Sequence, residues 1–417
     1  MLWLARFIMH ASTSALSRFS LSAFLSLGFR PLYIGGAAWA FISIALWIFT
    51  PHLLTGSLNG VWWHAHEMLW GFVATIAVGF LTTASATWTG TNPIKGGALG
   101  ALALCWLVAR VAYLAPGQAA FILGAAADAL FYLTAALALG RVIFRAHSKR
   151  NYVLPWAVLL LGVSHVLFVL AVAQGKSMLL VDAMRTGILC MVFIALLIAR
   201  RVIPFFASRA MAGLTIPMHQ RSGLVQLAAC AVALLAVMTG LDALLALCAA
   251  VAGMIALYQL VQWKPGRVIG APLLWVLYLS WFFLGMGLLL AAGFFLGWHP
   301  WWLARQAMYV HVIAMGGFSV MIMGMITRTA LGHTGRLLKA DGVMVSSFVL
   351  VVLATVARLA ALIMPSLTLP LLQLAAAAWM GAFGLYLYRF VPILVSPRPA
   401  ADPVAPGMII RPSEKKS

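Results

Sequence analysis

Acidic residues are what this chain most lacks. Seven Asp and Glu stand among 417 residues, and charged residues of both signs make up only 8% of the sequence. A soluble domain carries about 25%, so a water-exposed globular fold is excluded. Cysteine is scarce as well: Cys105, Cys190, Cys230 and Cys248 stand singly in apolar stretches, without CxxC spacing. That pattern excludes a disulfide framework, and the four read as small buried hydrophobes. The chain also has no P-loop, no GxSxG, no cysteine cluster and no CxxCH. It therefore gives no support for a nucleotide-driven pump, a serine hydrolase, an iron–sulfur protein or a c-type cytochrome.

What is present is apolar: 64% hydrophobic residues, with a mean hydropathy of +1.05. A helical span needs about 20 apolar residues. Twelve candidates fit, near 32–50, 65–86, 97–115, 119–140, 152–173, 178–199, 222–239, 242–262, 270–296, 306–326, 342–364 and 367–390. Pro51, Asn92-Pro93, Pro116-Gly117, Pro265-Gly266 and Pro365 punctuate them. The reading is an all-α membrane protein of about twelve transmembrane helices. Residues 1–30 form a cytoplasmic lead-in with no clean signal-peptide pattern. Residues 31–390 form the membrane domain, divisible into halves 31–199 and 222–390, and 391–417 a disordered basic tail.

The net charge of +20 is not a nucleic-acid signature, because the basic residues lie in short loops between apolar runs. Of 27 Lys and Arg, 22 fall on one side: the N-terminal segment, Lys95, the loops at 141–150, 200–221, 264–267 and 328–339, and the tail. The opposite loops hold only Lys176 and Arg305. Both termini are therefore expected to be cytoplasmic, with even-numbered helices running inward from the outer face. Arg110, Arg185 and Arg358 are left inside spans. That topology gathers them in the outer half with Asp128, His165, Asp182, His311 and the His64–Glu67 segment. Intramembrane ionisable groups in one layer mark a site or a pathway, or buried ion pairs that fix helix packing.

Four stretches carry chemistry. The first is His64-Ala-His66-Glu67, at the mouth of helix two among Trp62, Trp63 and Trp70. Residues two apart on a helix point about 200° from each other, so His64 and His66 need different partners unless the helix entry is unwound. They suit haem iron or copper; the alternative is an interfacial cap within an aromatic belt. The second is Tyr309-Val-His311 with Met315, Met321, Met323 and Met325 and glycines between them. His311 is at a depth to meet His64 or His66, or it is a hydrogen-bonded structural residue. The methionines read as core or as ligands, and the glycines admit another helix or a flat cofactor. The third is Thr327–Arg336, a Gly-rich cytoplasmic loop whose hydroxyls and guanidinium groups suit an anion such as a propionate or phosphate; positive-inside placement alone also explains it. His333 lies about 33 Å along the helix from His311, too far to share a metal. The fourth is Arg200-Arg-Val-Ile-Pro204, where the proline is expected to stop helix six. Trp298-His299-Pro300-Trp301-Trp302 reads as a belt anchor. Helices two and ten share a His-then-Gly-Phe pattern (Gly71-Phe72; Gly317-Phe318), too weak to establish a repeat.

These motifs resemble the NnrS family. Trp63-His-Ala-His-Glu-Met-Leu-Trp-Gly-Phe, Arg201-Val-Ile-Pro-Phe-Phe, Thr327-Arg-Thr-Ala-Leu-Gly-His-Thr-Gly-Arg, Gly28-Phe-Arg-Pro and Leu274-Trp-Val-Leu carry the resemblance, over residues 28–390. It implies a twelve-helix bacterial inner-membrane protein with haem and copper, acting in the response to nitric oxide and nitrosative stress. It does not imply which activity: transport, sensing or redox chemistry. On this reading His64, His66 and His311 are metal ligands, with Glu67 orienting a histidine. Arg110, Arg185 or Arg358 would neutralise haem propionates, and His165, His333 and Arg336 complete the cofactor-binding candidates. Tyr278 and Ser280 stand where many relatives have a histidine nearby, so a ligand set using helix nine is in doubt. Nitric oxide or a derived small molecule is the expected partner besides the lipid bilayer. Two other readings stand beside it: a secondary transporter whose outer polar layer, with Asp128 and Arg358, binds a small ligand and protons, and a structural or sensory membrane subunit.

Overall fold

The computed structural model describes residues 19–298, 300 and 305–399, all in helices and their connections, with no strand among them. The segments 1–18 and 400–417, and His299, Trp301 and Trp302 of the expected belt anchor, lie outside the described residues. Twelve helices correspond to the twelve expected spans: α1 Phe29–Phe49, α2 Gly60–Thr89, α3 Gly97–Ala112, α4 Gln118–Arg145, α5 Val153–Ala173, α6 Ser177–Ala210, α7 Gln220–Thr239, α8 Asp242–Gln262, α9 Pro272–Phe295, α10 Ala307–His333, α11 Gly342–Ile363 and α12 Thr368–Leu394. Eleven are long and apolar enough to cross a bilayer. The exception is α3, whose 16 residues rise about 24 Å.

Two boundaries differ from expectation. Pro204 does not end α6, which continues 34 residues in all to Ala210. A proline inside a membrane helix is tolerated where neighbouring helices and side chains support the backbone around it, and Pro204 is itself buried among its neighbours. The second is α2, which starts at Gly60 and so places His64–Glu67 inside the helix. Trp63, Trp70, His66 and Glu67 are all fully buried. These four therefore do not act as an interfacial cap, because a belt residue keeps one edge in the headgroup layer; Trp62 and His64 are half-buried.

Consecutive helices pack as antiparallel neighbours, α1 closes against α12, and α9 packs on both α8 and α10. The most buried of the spans is α2. The shared pattern of α2 and α10 has a structural counterpart that no sequence period revealed. Each helix opens into an eight-residue π-helical stretch directly after a histidine, Glu67–Ala74 after His66 and Val312–Ser319 after His311, and the two stretches touch. Hydroxyls reach back five residues to hold the wide turns: Thr75 Oγ1 donates to Trp70 O at 3.1 Å and Ser319 Oγ to Ala314 O at 2.8 Å. Tyr132 Oη also donates to Trp70 O, and Trp106 Nε1 to Gly71 O. Single-turn π-bulges concentrate at functional sites.

Candidate metal centres

The two histidines of α2 serve opposite faces, as their spacing requires. His66 points towards α3, α4 and α5, into a fully buried polar cluster. Its Nδ1 is 2.9 Å from Glu67 Oε1. The other carboxylate oxygen, Glu67 Oε2, accepts from Trp39 Nε1 at 2.6 Å and from Arg110 Nη1. Arg110 is in the last turn of α3, where the carbonyl end of a helix favours a cation. Its guanidinium forks, so that Nη2 donates to Asp128 Oδ2 on α4. Asp128 Oδ2 is also 3.8 Å from His66 Nε2 and 3.4 Å from His165 Nε2 on α5. The rings of Tyr113, Trp70 and Phe168 close around the two imidazoles.

Charge balance is the informative property of this cluster. Two carboxylates face one guanidinium, all almost wholly inaccessible to water. With both imidazoles neutral, one negative charge is left over. Leaving it uncompensated in a membrane interior is costly, so the cluster calls for one more cation, a proton or a metal ion. One ligand atom from each of His66, Asp128 and His165 can be chosen so that all lie within 4.8 Å of one another. Metal–ligand bonds of ~2.0–2.1 Å in tetrahedral geometry put ligand atoms about 3.4 Å apart. The cluster therefore needs to contract by roughly 1 Å. His66 Nε2, His165 Nδ1 and Asp128 Oδ1 are all buried without a hydrogen-bond partner, and a donor set of two imidazoles and a carboxylate suits a first-row transition metal, copper and iron among them.

His64 points the other way. It is half-buried, stacked on Trp47 of α1 with ring centroids 5.4 Å apart, and its Nδ1 is buried without a partner. His311 at the head of α10 donates Nδ1–H to Ala307 O at 2.7 Å. That bond, which settles the tautomer, leaves Nε2 as the lone-pair atom, the usual preparation of a ligating histidine. The two histidines are electrostatic neighbours, and Arg358 of α11 acts on both. Arg305 is in turn close to Arg358. Among the described residues no carboxylate forms an ion pair with either arginine. This second centre is therefore cationic where the first is anionic.

The remaining candidates lie elsewhere. Arg185 pairs with Asp182 at 3.4 Å and sits over the Phe295 ring, bracing α6 against α9. His333 packs on Phe29 at the far end of α10 from His311, with Arg336 beyond it. Neither is brought to the outer histidines. Tyr278 lies near the start of α9 and donates to Trp263 O at 3.1 Å, so its side chain serves packing. The glycines of α10 admit a helix: added Cβ atoms at Gly316, Gly317 and Gly324 would meet Phe283, Leu284 and Val276 of α9. Met321 and Met325 instead line a cavity of about 80 Å³ between α1, α2, α6 and α10. A cavity that holds benzene measures about 150 Å³, so this one does not seat a haem macrocycle.

Sequence reasoning left Asp128 out of the ligand set and missed Trp39, Tyr113 and Tyr132 entirely. Asp128 did carry a signal, as a lone carboxylate in an apolar helix; aromatic residues in apolar helices carry none. Gly71 also belongs to the cluster. A methyl group there would collide with Arg110 Nη1, Glu67 Oε2 and Trp39 Nε1. Overpacking costs about 1–3 kcal/mol, against up to about 1 kcal/mol gained in helix propensity. Gly71→Ala is thus expected to lower the thermal unfolding midpoint in detergent despite its helix-favouring chemistry. An unchanged midpoint would show that these side chains can part freely.

Residues 23–398 match the family model described as NnrS protein. No curated protein gives a significant match.

Proposed function

The chain belongs to the NnrS family, and on that premise we propose that it binds haem and copper in the bacterial inner membrane and acts in the response to nitric oxide. The observation that carries the reading is the pair of centres on opposite faces of α2, with opposite electrostatic demands. The anionic cluster of Glu67, Asp128 and Arg110 lacks a cation, and His66, His165 and Asp128 offer unpartnered ligand atoms for copper. The outer pair His64 and His311 offers imidazole nitrogens to haem iron, and Arg358 and Arg305, which have no carboxylate partner among the described residues, would meet the propionates. Glu67 acts on copper through His66, whose Nδ1 it holds, and such a partner typically changes metal affinity 10–100-fold. Bound haem iron and copper supply a site for a diatomic ligand and for single-electron exchange; the protein supplies orientation, charge and exclusion of water.

Purified wild type should show a Soret band and copper by elemental analysis. Glu67→Gln should lower copper affinity by about 10–100-fold while the Soret band stays. Protein that folds but carries neither group, when expressed with ample haem and copper, would remove the proposal.

A further inference from the structure

The cytoplasmic face brings together three stretches that are far apart in sequence: Phe29-Arg30 at the start of α1, His333-Thr-Gly-Arg336 at the end of α10, and Arg398 beyond α12. Arg30 is only 4% exposed, and its Nη1 donates to Leu394 O and Ser396 O at 2.7 Å each. Those acceptors belong to the end of α12, so they hold the guanidinium without cancelling its charge, and its Nε is buried without a partner. Arg336 is half-buried, and its Nη1 donates a long bond to Thr334 O at 3.4 Å. It lies within electrostatic reach of Arg30 and of Arg389. Gly335, at φ +74°, gives Arg398 room: a Cβ there would stand 2.6 Å from Arg398 Nε. Arg398 also acts on His333.

Four arginines thus share one corner, and the one carboxylate beside them among the described residues is already engaged. Asp341 caps α11 by accepting from Met344 N at 3.0 Å, and it accepts from Arg389 Nε at 2.7 Å. Positive-inside placement explains arginines in cytoplasmic loops, but it gives no reason for them to converge on one another or for one to be buried. Convergence of like charges is repulsive unless an anion joins them.

We infer that Arg336 and Arg398, in the field of buried Arg30, form a binding site for a phosphate-bearing anion at the cytoplasmic surface, separate from the two histidine centres. A phospholipid headgroup and free phosphate share this chemistry. The setting is a lipid interface: Ser20 N donates to Val395 O at 3.0 Å, anchoring the short helix Leu21–Phe24 beside α12, and Phe19 and Leu21 are more than half exposed there.

The test uses the full chain in nanodiscs of phosphatidylcholine, with or without phosphatidylglycerol. Native mass spectrometry should find phosphatidylglycerol retained by wild type. Arg336→Gln and Arg398→Gln should each reduce retention by about fivefold, the worth of one basic residue near a membrane anion. Lys95→Gln, on the same face but outside the corner, should not. Inorganic phosphate, titrated at constant ionic strength into phosphatidylcholine discs, identifies the other source: a rise in unfolding midpoint that the same two variants abolish means that free phosphate fills the site. A wild type indifferent to both probes, or equal losses in Lys95→Gln, overturns the inference. Arg30 is left unchanged, because its bonds hold the end of α12.

Discussion

Arg110→Met is expected to lower the unfolding free energy by about 3–5 kcal/mol, the cost of removing one partner from a buried ion network. The side chain is fully buried, and its fork hydrogen-bonds both Glu67 and Asp128. Methionine keeps most of the volume but leaves two carboxylates facing each other without a cation. Arg110→Lys should recover little, since an ammonium is a point charge that cannot present the planar fork required by two carboxylates on different helices. Replacing the carboxylates as well, in Glu67→Gln/Asp128→Asn/Arg110→Met, should restore much of the loss, because a neutral cluster of similar shape has no charge to desolvate. Unfolding midpoints in detergent read all three variants. If Arg110→Met unfolds like wild type, the network is solvated, and the charge argument for a bound cation fails with it.

Much of this arrangement was legible in the sequence, and the reasons are physical. Span positions follow from transfer free energy summed over about 20 residues, a signal so large that neighbouring contacts rarely override it. The different partners of His64 and His66 follow from helical rotation alone. The electrostatic proximity of His64 and His311 was legible only as equal depth, because topology fixes height along the membrane normal but not which faces meet.

Other features depend on contacts that the chain does not announce. The π stretches at Glu67–Ala74 and Val312–Ser319 need hydroxyl and aromatic donors, Thr75, Tyr132 and Trp106, aimed at particular carbonyls. Pro204 looked like a stop because local sterics dominate a single helix in isolation, yet α6 runs on through it. Trp39 binds Glu67 through one N–H, but the rest of its surface is indistinguishable from core.

The separation of the two centres by α2 leads to the second large effect. His66→Ala and His165→Ala are each expected to lower bound copper more than tenfold, while the Soret band persists. His64→Ala and His311→Ala are expected to do the reverse. A factor of ten is about 1.4 kcal/mol, well below what a lost ligand to a buried metal costs, so the contrast should exceed measurement error. Pairs within one centre should be non-additive, since His66 and His165 face one another at a ring separation of 5.1 Å. Pairs across α2, such as His64→Ala with His165→Ala, should add, as independent sites do. The backbone argues the same way: the two imidazoles of α2 leave the helix on opposite faces, and between them the helix is unbroken from Gly60 to Thr89. Metal analysis and spectra on the four single variants and the two kinds of pair decide it. Loss of both groups together from His66→Ala in folded protein would mean one shared centre, and α2 would then have to unwind at His64 to build it.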